Sequence, residues 1–158
     1  MRSIHRLLLA ALLALVATAA AAGNLTNYYE DAVIDASFRG GTFSPPATWY
    51  IATVTAITDA EAGTVTETAC GLGRASVANS AAQWDATVGG NGTTANTNTI
   101  TYSAPTSDCG QVVGVVFYDA SSAGNAWIVV SLTTPKTVNN GDDAPSFAAG
   151  ALTFQIDN

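Results

Sequence analysis

Two segments in the second half of the chain are almost entirely apolar, and they constrain the fold most strongly. "VVGVVFYD" covers residues 112–119 and "AWIVVSL" covers residues 126–132. Such runs, rich in β-branched residues, are typical of strands that are covered on both faces. The connecting residues 120–125, "ASSAGN", supply the Gly and Asn that a hairpin turn favours. The sequence therefore predicts a buried hairpin at the centre of a sheet.

The rest of the chain beyond Pro45-Pro46 has a similar character. β-branched and aromatic residues recur in short runs that Gly, Asn, Asp and Pro interrupt, which favours an antiparallel β-sandwich over a parallel sheet. Residues 86–99, "ATVGGNGTTANTNT", lack a hydrophobic period, so we expect a loop or a wide turn there. The predicted strands are Thr48–Ala56, Arg74–Asp85, Thr97–Ser103, Gln111–Asp119, Ala126–Thr133 and Ala151–Ile156, with a shorter piece at Pro145–Ala148.

One amphipathic helix, from Asn24 to Phe38, is predicted before the strands. Asn27 followed by Glu30 is typical of a capping box at its start, and Gly40-Gly41 ends it. The overall prediction is a mainly β protein, an antiparallel β-sandwich with one N-terminal helix. The apolar residues recur at helical spacing, at Leu25, Tyr28, Tyr29, Ala32, Val33 and Ala36.

The first 22 residues have the pattern of a signal peptide. Arg2 and Arg6 give a positive start, residues 7–22 are small or apolar apart from one Thr, and three alanines at 20–22 fit a cleavage site. The run is shorter than the roughly 18 residues of a spanning helix, which disfavours the alternative of an uncleaved anchor. We therefore expect export, a signal peptide at 1–22, and a single domain at 23–158 with no membrane segment after cleavage.

The charge of the predicted mature chain argues against nucleic acid as a partner. Its cations are Arg39, Arg74 and Lys136, which face 12 Asp and Glu residues, for a net charge of −9. Binding to a phosphate backbone requires clustered Lys and Arg, and three scattered cations do not form such a cluster.

The residue types also argue against catalysis. His5 is the only histidine and lies in the predicted signal peptide, so the mature chain lacks the usual general base and zinc ligand. The acid pairs Asp59/Glu61 and Asp142/Asp143 lie in segments typical of turns, and residues 139–143 lack the spacing of an EF-hand loop. We predict no catalytic, cofactor-binding or metal-binding residues and no enzyme activity.

The only two cysteines are Cys70 and Cys109. An even number of cysteines in an exported chain favours a disulfide, and we predict one between these two residues. The alternative is two separate buried thiols.

The aromatic residues allow two interpretations. They could form a platform on which sugar rings stack, close to the loop at 86–99, or they could fill the core of the sandwich. Each lies in a predicted strand among aliphatic residues, which favours the core. The residues concerned are Trp49, Tyr50, Trp84, Phe117, Tyr118, Trp127 and Phe154.

The order of segments resembles a family of small bacteriophage virion proteins described as tail-fibre-like. The matching stretches lie at 24–55, "NLTNYYEDAVIDASFRGGTFSPPATWYIATVT", and at 131–157, "SLTTPKTVNNGDDAPSFAAGALTFQID", with "VVGVVFYDASSAGNAWIV" between them. Arg74, at the start of a strand, belongs to the same pattern. The resemblance implies a non-catalytic structural subunit that packs against copies of itself or against other structural proteins.

The chain departs from this family at its N-terminus and at its cysteines. Family members usually begin at the helix, without an export signal, and Cys70 and Cys109 stand where the usual pattern has a glycine and an aromatic residue. Both changes suit an oxidising compartment, so we expect a protein outside the cell or in its envelope. The virion is the alternative location, and a secreted module that binds carbohydrate or a cell surface is the alternative function.

Self-association is expected from the predicted edges of the sandwich. The segments "TWYIATVTA" at 48–56 and "ALTFQI" at 151–156, taken as outer strands, carry no ionised side chain. Isolated domains usually protect such edges with Lys, Pro or charge. We therefore predict that an edge or a face is buried against another copy. The alternative is a monomer in which the helix from Asn24 to Phe38 covers that surface.

Overall fold

A computed structural model describes residues 24–87 and 92–156. The predicted signal peptide at 1–22 lies outside the described residues. In chain order the elements are β1 (Asn24–Leu25), α1 (Asn27–Phe38), β2 (Thr48–Asp59), β3 (Thr64–Glu67), β4 (Arg74–Ala78), β5 (Thr93–Ala95), β6 (Ile100–Thr101), β7 (Gly110–Tyr118), β8 (Ala126–Val138), β9 (Ser146–Phe147) and β10 (Thr153–Gln155).

Six strands form one large antiparallel sheet. Its order is β1-β8-β7-β2-β3, and β4 pairs with the first half of β2. Two small antiparallel sheets, β5 with β10 and β6 with β9, complete the β structure. The prediction of a mainly β, antiparallel fold with one helix is confirmed.

The predicted central hairpin is formed by β7 and β8. Tyr118 pairs with Ala126 at its end, and the Asp119 carboxylate accepts a hydrogen bond of 2.8 Å from the backbone N–H of Asn125. β2 pairs with the other side of β7, so β7 lies between two long strands. This position explains why its residues are apolar on both faces.

The two faces of the large sheet carry separate apolar clusters. On one face, Trp49, Ile51 and Phe117 pack in one cluster with Phe147 and Leu152 from the segments of the small sheets. The small sheets therefore supply the second layer of the sandwich. The opposite face carries a smaller cluster of buried side chains, namely Ala52, Val54, Val116, Tyr118 and Val129.

β8 is longer than predicted and continues through Pro135 to Val138. Ser131 pairs with Gly114 and Lys136 pairs with Val112, so residues 132–135 lie opposite a single residue of β7. Proline lacks the N–H that a ladder needs, and a bulge of this kind accommodates it. The pattern of apolar residues alone does not indicate such a bulge.

Other predicted strands are shorter in the structure, and three strands were missed, among them β1, whose residues were assigned to the helix. The strand predicted at Arg74–Asp85 ends at Ala78, because the backbone N–H of Trp84 donates to Ser80 O in a turn. The strand predicted at Thr97–Ser103 is reduced to β6. The sequence did not predict β3, or β5 within the polar tract at 86–99.

The helix begins at a different cap from the one predicted. Thr26, not Asn27, is the N-cap, and its hydroxyl accepts from the backbone N–H of Tyr29 at 3.4 Å. The same hydroxyl donates to Ala126 O at 2.7 Å, which ties the start of α1 to β8. Leu25 lies in β1 and not in the helix.

The expectation that residues 48–56 form an outer strand is wrong. β2 has β7 on one side and β3 and β4 on the other, so it is an interior strand. Pro135 and Lys136 lie instead in β8, beyond its pairing with β1 at Ile128 and Val129. Proline and lysine are residues that protect sheet edges.

Candidate functional site

One acidic residue from each pair considered for catalysis, Asp59 and Asp142, stabilises a turn. The Asp59 carboxylate accepts from the backbone N–H of Ala62 at 3.0 Å, and the Asp142 carboxylate accepts from that of Asn139 at 2.7 Å. Within residues 24–87 and 92–156, no group of three or more His, Cys, Asp or Glu side chains is placed to hold a metal ion. In the same residues no helix has the length and apolar character needed to cross a membrane.

The predicted disulfide is present. Cys70 and Cys109 are bonded, with their Cα atoms 5.0 Å apart, within the range usual for disulfides. Cys70 is buried in the main apolar cluster, and Cys109 packs against that cluster. The bond therefore ties the segment before β4 to the start of β7.

Arg74 is the most extensively bonded cation of the described structure. Its guanidinium forms two hydrogen bonds to the Glu67 carboxylate, at 2.6 and 3.1 Å, and donates to Ala120 O and Ala123 O at 2.7 and 2.8 Å. It also stacks on the ring of Tyr118. These contacts fasten the turn between β7 and β8 onto the smaller apolar cluster. The role of Arg74 is thus structural.

Asp119 organises the same turn from its other side. It accepts hydrogen bonds from the Asn125 amide at 2.9 Å and from the indole N–H of Trp127 at 3.2 Å. Burial alone would raise the pKa of Asp119, but the hydrogen bonds from Asn125 and Trp127 outweigh burial and lower the pKa below its ordinary value. The carboxylate is therefore held in its charged form.

Most of the aromatic residues belong to the core, as predicted. The side chains of Trp49, Phe117, Tyr118, Trp127 and Phe154 are buried. Trp84 and Tyr50 are half-buried. These aromatic residues therefore do not form a flat, exposed platform for stacking.

A cavity of about 230 Å³ opens beside the aromatic core. Its walls include Trp49, Trp84, Phe117 and Phe154 from the β structure and Tyr29 from α1, with Ile156 at the rim. Trp84 and Tyr29 are half-buried, and Ile156 is 53% exposed. We call this space the aromatic cavity.

Three polar groups in the wall of the aromatic cavity, from Trp84, Asn79 and Thr94, are engaged in hydrogen bonds within the protein. The Trp84 indole N–H donates to Ala78 O at 3.2 Å, and the Asn79 amide donates to Pro46 O at 3.1 Å. The Thr94 hydroxyl donates to Asp85 O at 2.7 Å. The cavity therefore offers apolar surface more readily than free donors.

The end of α1 carries apolar side chains on the surface. Phe38 is 80% exposed and Ile34 is 52% exposed, and the spacing of four residues places them on one side of the helix. Tyr29, Ala32 and Ala36 are the half-buried residues of α1, and none of its residues is fully buried. We call Ile34, Phe38 and Arg39, the residue that follows, the helix tip.

The comparisons with known proteins place this architecture in a family. The family model of the podophage GP4 fiber I protein gp80 matches residues 24–155. The chain belongs to this family. The match to the gp80 family begins at β1 and ends at the last residue of β10, so it includes the helix tip, the Arg74 contacts and the aromatic cavity apart from Ile156. The comparison with curated proteins finds no match.

The sequence did not predict either the aromatic cavity or the helix tip as features. Membership of the gp80 family confirms the resemblance to tail-fibre-like virion proteins. The cavity depends on long-range contacts, because its walls come from segments as distant as α1 and β10. The exposure of Phe38 could have been predicted from the sequence, because Phe38 does not belong to the apolar residues that recur at helical spacing along the predicted helix.

Proposed function

We propose that this chain is a non-enzymatic structural subunit of a phage-fibre-type assembly. The observation that carries the proposal is the match to the gp80 family over the entire described fold. The absence of histidine from the sequence after His5 supports a role without acid–base catalysis.

The proposal includes association with other copies or with other structural proteins. The exposed Ile34 and Phe38 on α1 support it, because a helix surface of this kind loses apolar area from water when it packs against a partner. Strand addition at a sheet edge is a second way in which copies could associate. Pro135 and Lys136 disfavour the same mode of pairing along β8.

The family and the predicted signal peptide support two different places of action. The family supports a virion, whereas a signal peptide at 1–22 and a disulfide would suit a domain that the cell exports. Intact mass of the protein from its native source tests export, because cleavage predicts a chain that begins at or near Gly23. A mass that retains residues 1–22 would contradict cleavage.

A loss-of-function experiment tests the structural role. A nonsense change early in the gene is expected to yield particles with missing or incomplete fibres in electron micrographs, and supplying the gene in trans is expected to restore them. Normal fibres and normal infectivity without the protein would overturn the proposal.

Carbohydrate recognition is the alternative function, and the half-buried Trp84 and Tyr29 are the observation that favours it. Aromatic rings suit sugar faces, and both residues line the aromatic cavity. A titration of tryptophan fluorescence with surface glycans of the host tests this function. Saturable quenching that W84A abolishes would support recognition, and unchanged emission would exclude it for those glycans.

A further inference from the structure

We propose that the aromatic cavity receives the Phe38 side chain of a second copy of this chain. The inference extends the proposed structural role by naming the two surfaces through which copies associate. It rests on the shape of the cavity, the exposure of Phe38, and the charges next to each.

The size and chemistry of the cavity suit an aromatic side chain. A dry cavity of about 150 Å³ accommodates a benzene ring, and the aromatic cavity measures about 230 Å³. Trp49, Trp84 and Phe117 give it rings that an incoming ring can meet edge to face. Most of the wall is made of aromatic and aliphatic side chains, and hydrogen bonds within the protein engage Trp84, Asn79 and Thr94, so the wall suits a hydrocarbon group better than a sugar hydroxyl.

Phe38 is the exposed side chain best placed to enter such a cavity. It is 80% exposed, the highest value among the large exposed apolar residues of the described structure. It lies nine residues after Tyr29, and nine steps of about 100° place it roughly opposite Tyr29 around the helix axis. Tyr29 lines the cavity of its own copy, whereas Phe38 does not.

The charges beside the two surfaces are opposite. Arg39 follows Phe38 directly, and Asp85 follows Trp84 at the cavity wall and is exposed. Among the described residues, the ion pair of the Arg39 guanidinium is an exposed one with Asp35 at 3.4 Å, which is weak enough to be exchanged for another partner. For a chain with a predicted net charge of −9, a contact between Arg39 and Asp85 offsets part of the repulsion between copies.

The two surfaces are different patches of one molecule, so the contact is head to tail. Each copy would offer its helix tip to one neighbour and its aromatic cavity to another, which generates a ring or a filament of copies. A symmetric dimer made from two identical patches would use a different geometry.

Sedimentation velocity between 1 and 100 μM tests the contact. The purified wild type is expected to associate with concentration, and F38S or I156K is expected to raise the dissociation constant at least tenfold. Both residues are exposed, so the variants should keep the circular dichroism and the melting temperature of the wild type. V33S, an exposed apolar change elsewhere on α1, is the matched control and should associate normally.

Mixing the variants distinguishes a head-to-tail contact from a symmetric one. F38S keeps an intact cavity and I156K keeps an intact helix tip, so an equal mixture is expected to form complexes of two chains and no larger species. In the charge test, R39E and D85K each weaken association, and the double variant R39E/D85K restores it.

Any of three results would overturn the inference. The wild type could stay monomeric at 100 μM, a folded F38S could associate as the wild type does, or the mixture of F38S and I156K could form no complexes of two chains. The proposed structural role would survive such results if loss of the protein still removed fibres from particles. Failure of the particle experiment with a positive mixing result would instead place the same contact in another assembly.

Discussion

The guanidinium of Arg74 lies over the ring of Tyr118, with 3.6 Å between its central carbon and the ring centroid. Arg74 opens β4 and Tyr118 ends β7, and neither strand pairs with the other. The contact therefore joins two strands that flank β2 on opposite sides. The carboxylate of Glu67, from β3, accepts two hydrogen bonds from the same guanidinium and so adds a third strand to the contact.

Arg74→Lys is expected to lower the free energy of unfolding by about 2 kcal/mol. A lysine retains the charge but cannot pair with both Glu67 oxygens while donating to Ala120 O and Ala123 O. Chemical denaturation at pH 7 measures the loss. Arg39→Lys, at an exposed pair, is the control and should change stability by less than about 0.5 kcal/mol. Equal effects of the two changes would refute the structural role of Arg74.

Tyr118 should make the protein sensitive to alkali. Burial, and secondarily the negative charge of Glu67, raises the pKa of Tyr118 to about 12. The unfolded chain ionises near a pKa of about 10, so the folded state holds the proton longer and stability falls as pH rises from about 10 to about 12. Y118F removes this titration and keeps the ring. Unfolding curves at pH 9 to 12 should show wild type losing stability relative to Y118F, whereas parallel curves would contradict the shift.

The disulfide is expected to contribute a large share of the stability. Cys70 and Cys109 are 39 residues apart in sequence, and closing a loop of this size is worth about 4 kcal/mol in the chain-entropy model. The double variant C70S/C109S should therefore melt at a lower temperature than the wild type. Reduction of the wild type should lower its melting temperature similarly and leave the variant unchanged. Two reactive thiols per chain in unfolded, unreduced protein would contradict the bond.

Tyr102 carries a buried hydroxyl with no hydrogen-bond partner among the described residues. Burying an uncompensated hydroxyl costs free energy, so Y102F is expected to stabilise the protein by about 1 kcal/mol. T53V is the contrasting control, because the Thr53 hydroxyl bonds to that of Thr68 at 2.7 Å, and its loss should destabilise by about 1 kcal/mol. A destabilised Y102F would show that the hydroxyl has a partner in solution.

Local patterns predicted the centre of the fold. The apolar runs in β7 and β8 are buried on both faces, and the Gly and Asn of residues 120–125 form their turn as expected. Burial on both faces leaves a continuous signal in the sequence that does not depend on distant residues. The disulfide followed from the number of cysteines and the predicted compartment.

Long-range contacts determined what the sequence did not predict. β5 lies in a polar tract, and it is a strand because it pairs with β10 some sixty residues away in sequence. Asn96, towards the end of that tract, is buried because both ends of its side-chain amide are satisfied. Its Nδ2 donates to Ala148 O, and its Oδ1 accepts from the backbone N–H of Leu152. The aromatic cavity depends on the same distant segments, so a local pattern could not indicate it.

The copy number of the protein in purified particles tests the central claim most directly. Quantitative mass spectrometry of gradient-purified virions, with a capsid protein as internal standard, is expected to find this chain at a constant ratio across independent preparations. Partial proteolysis of intact particles should release it together with the fibres. A chain that is absent from purified particles and is recovered only from the cell envelope or the medium would contradict a structural role in the virion.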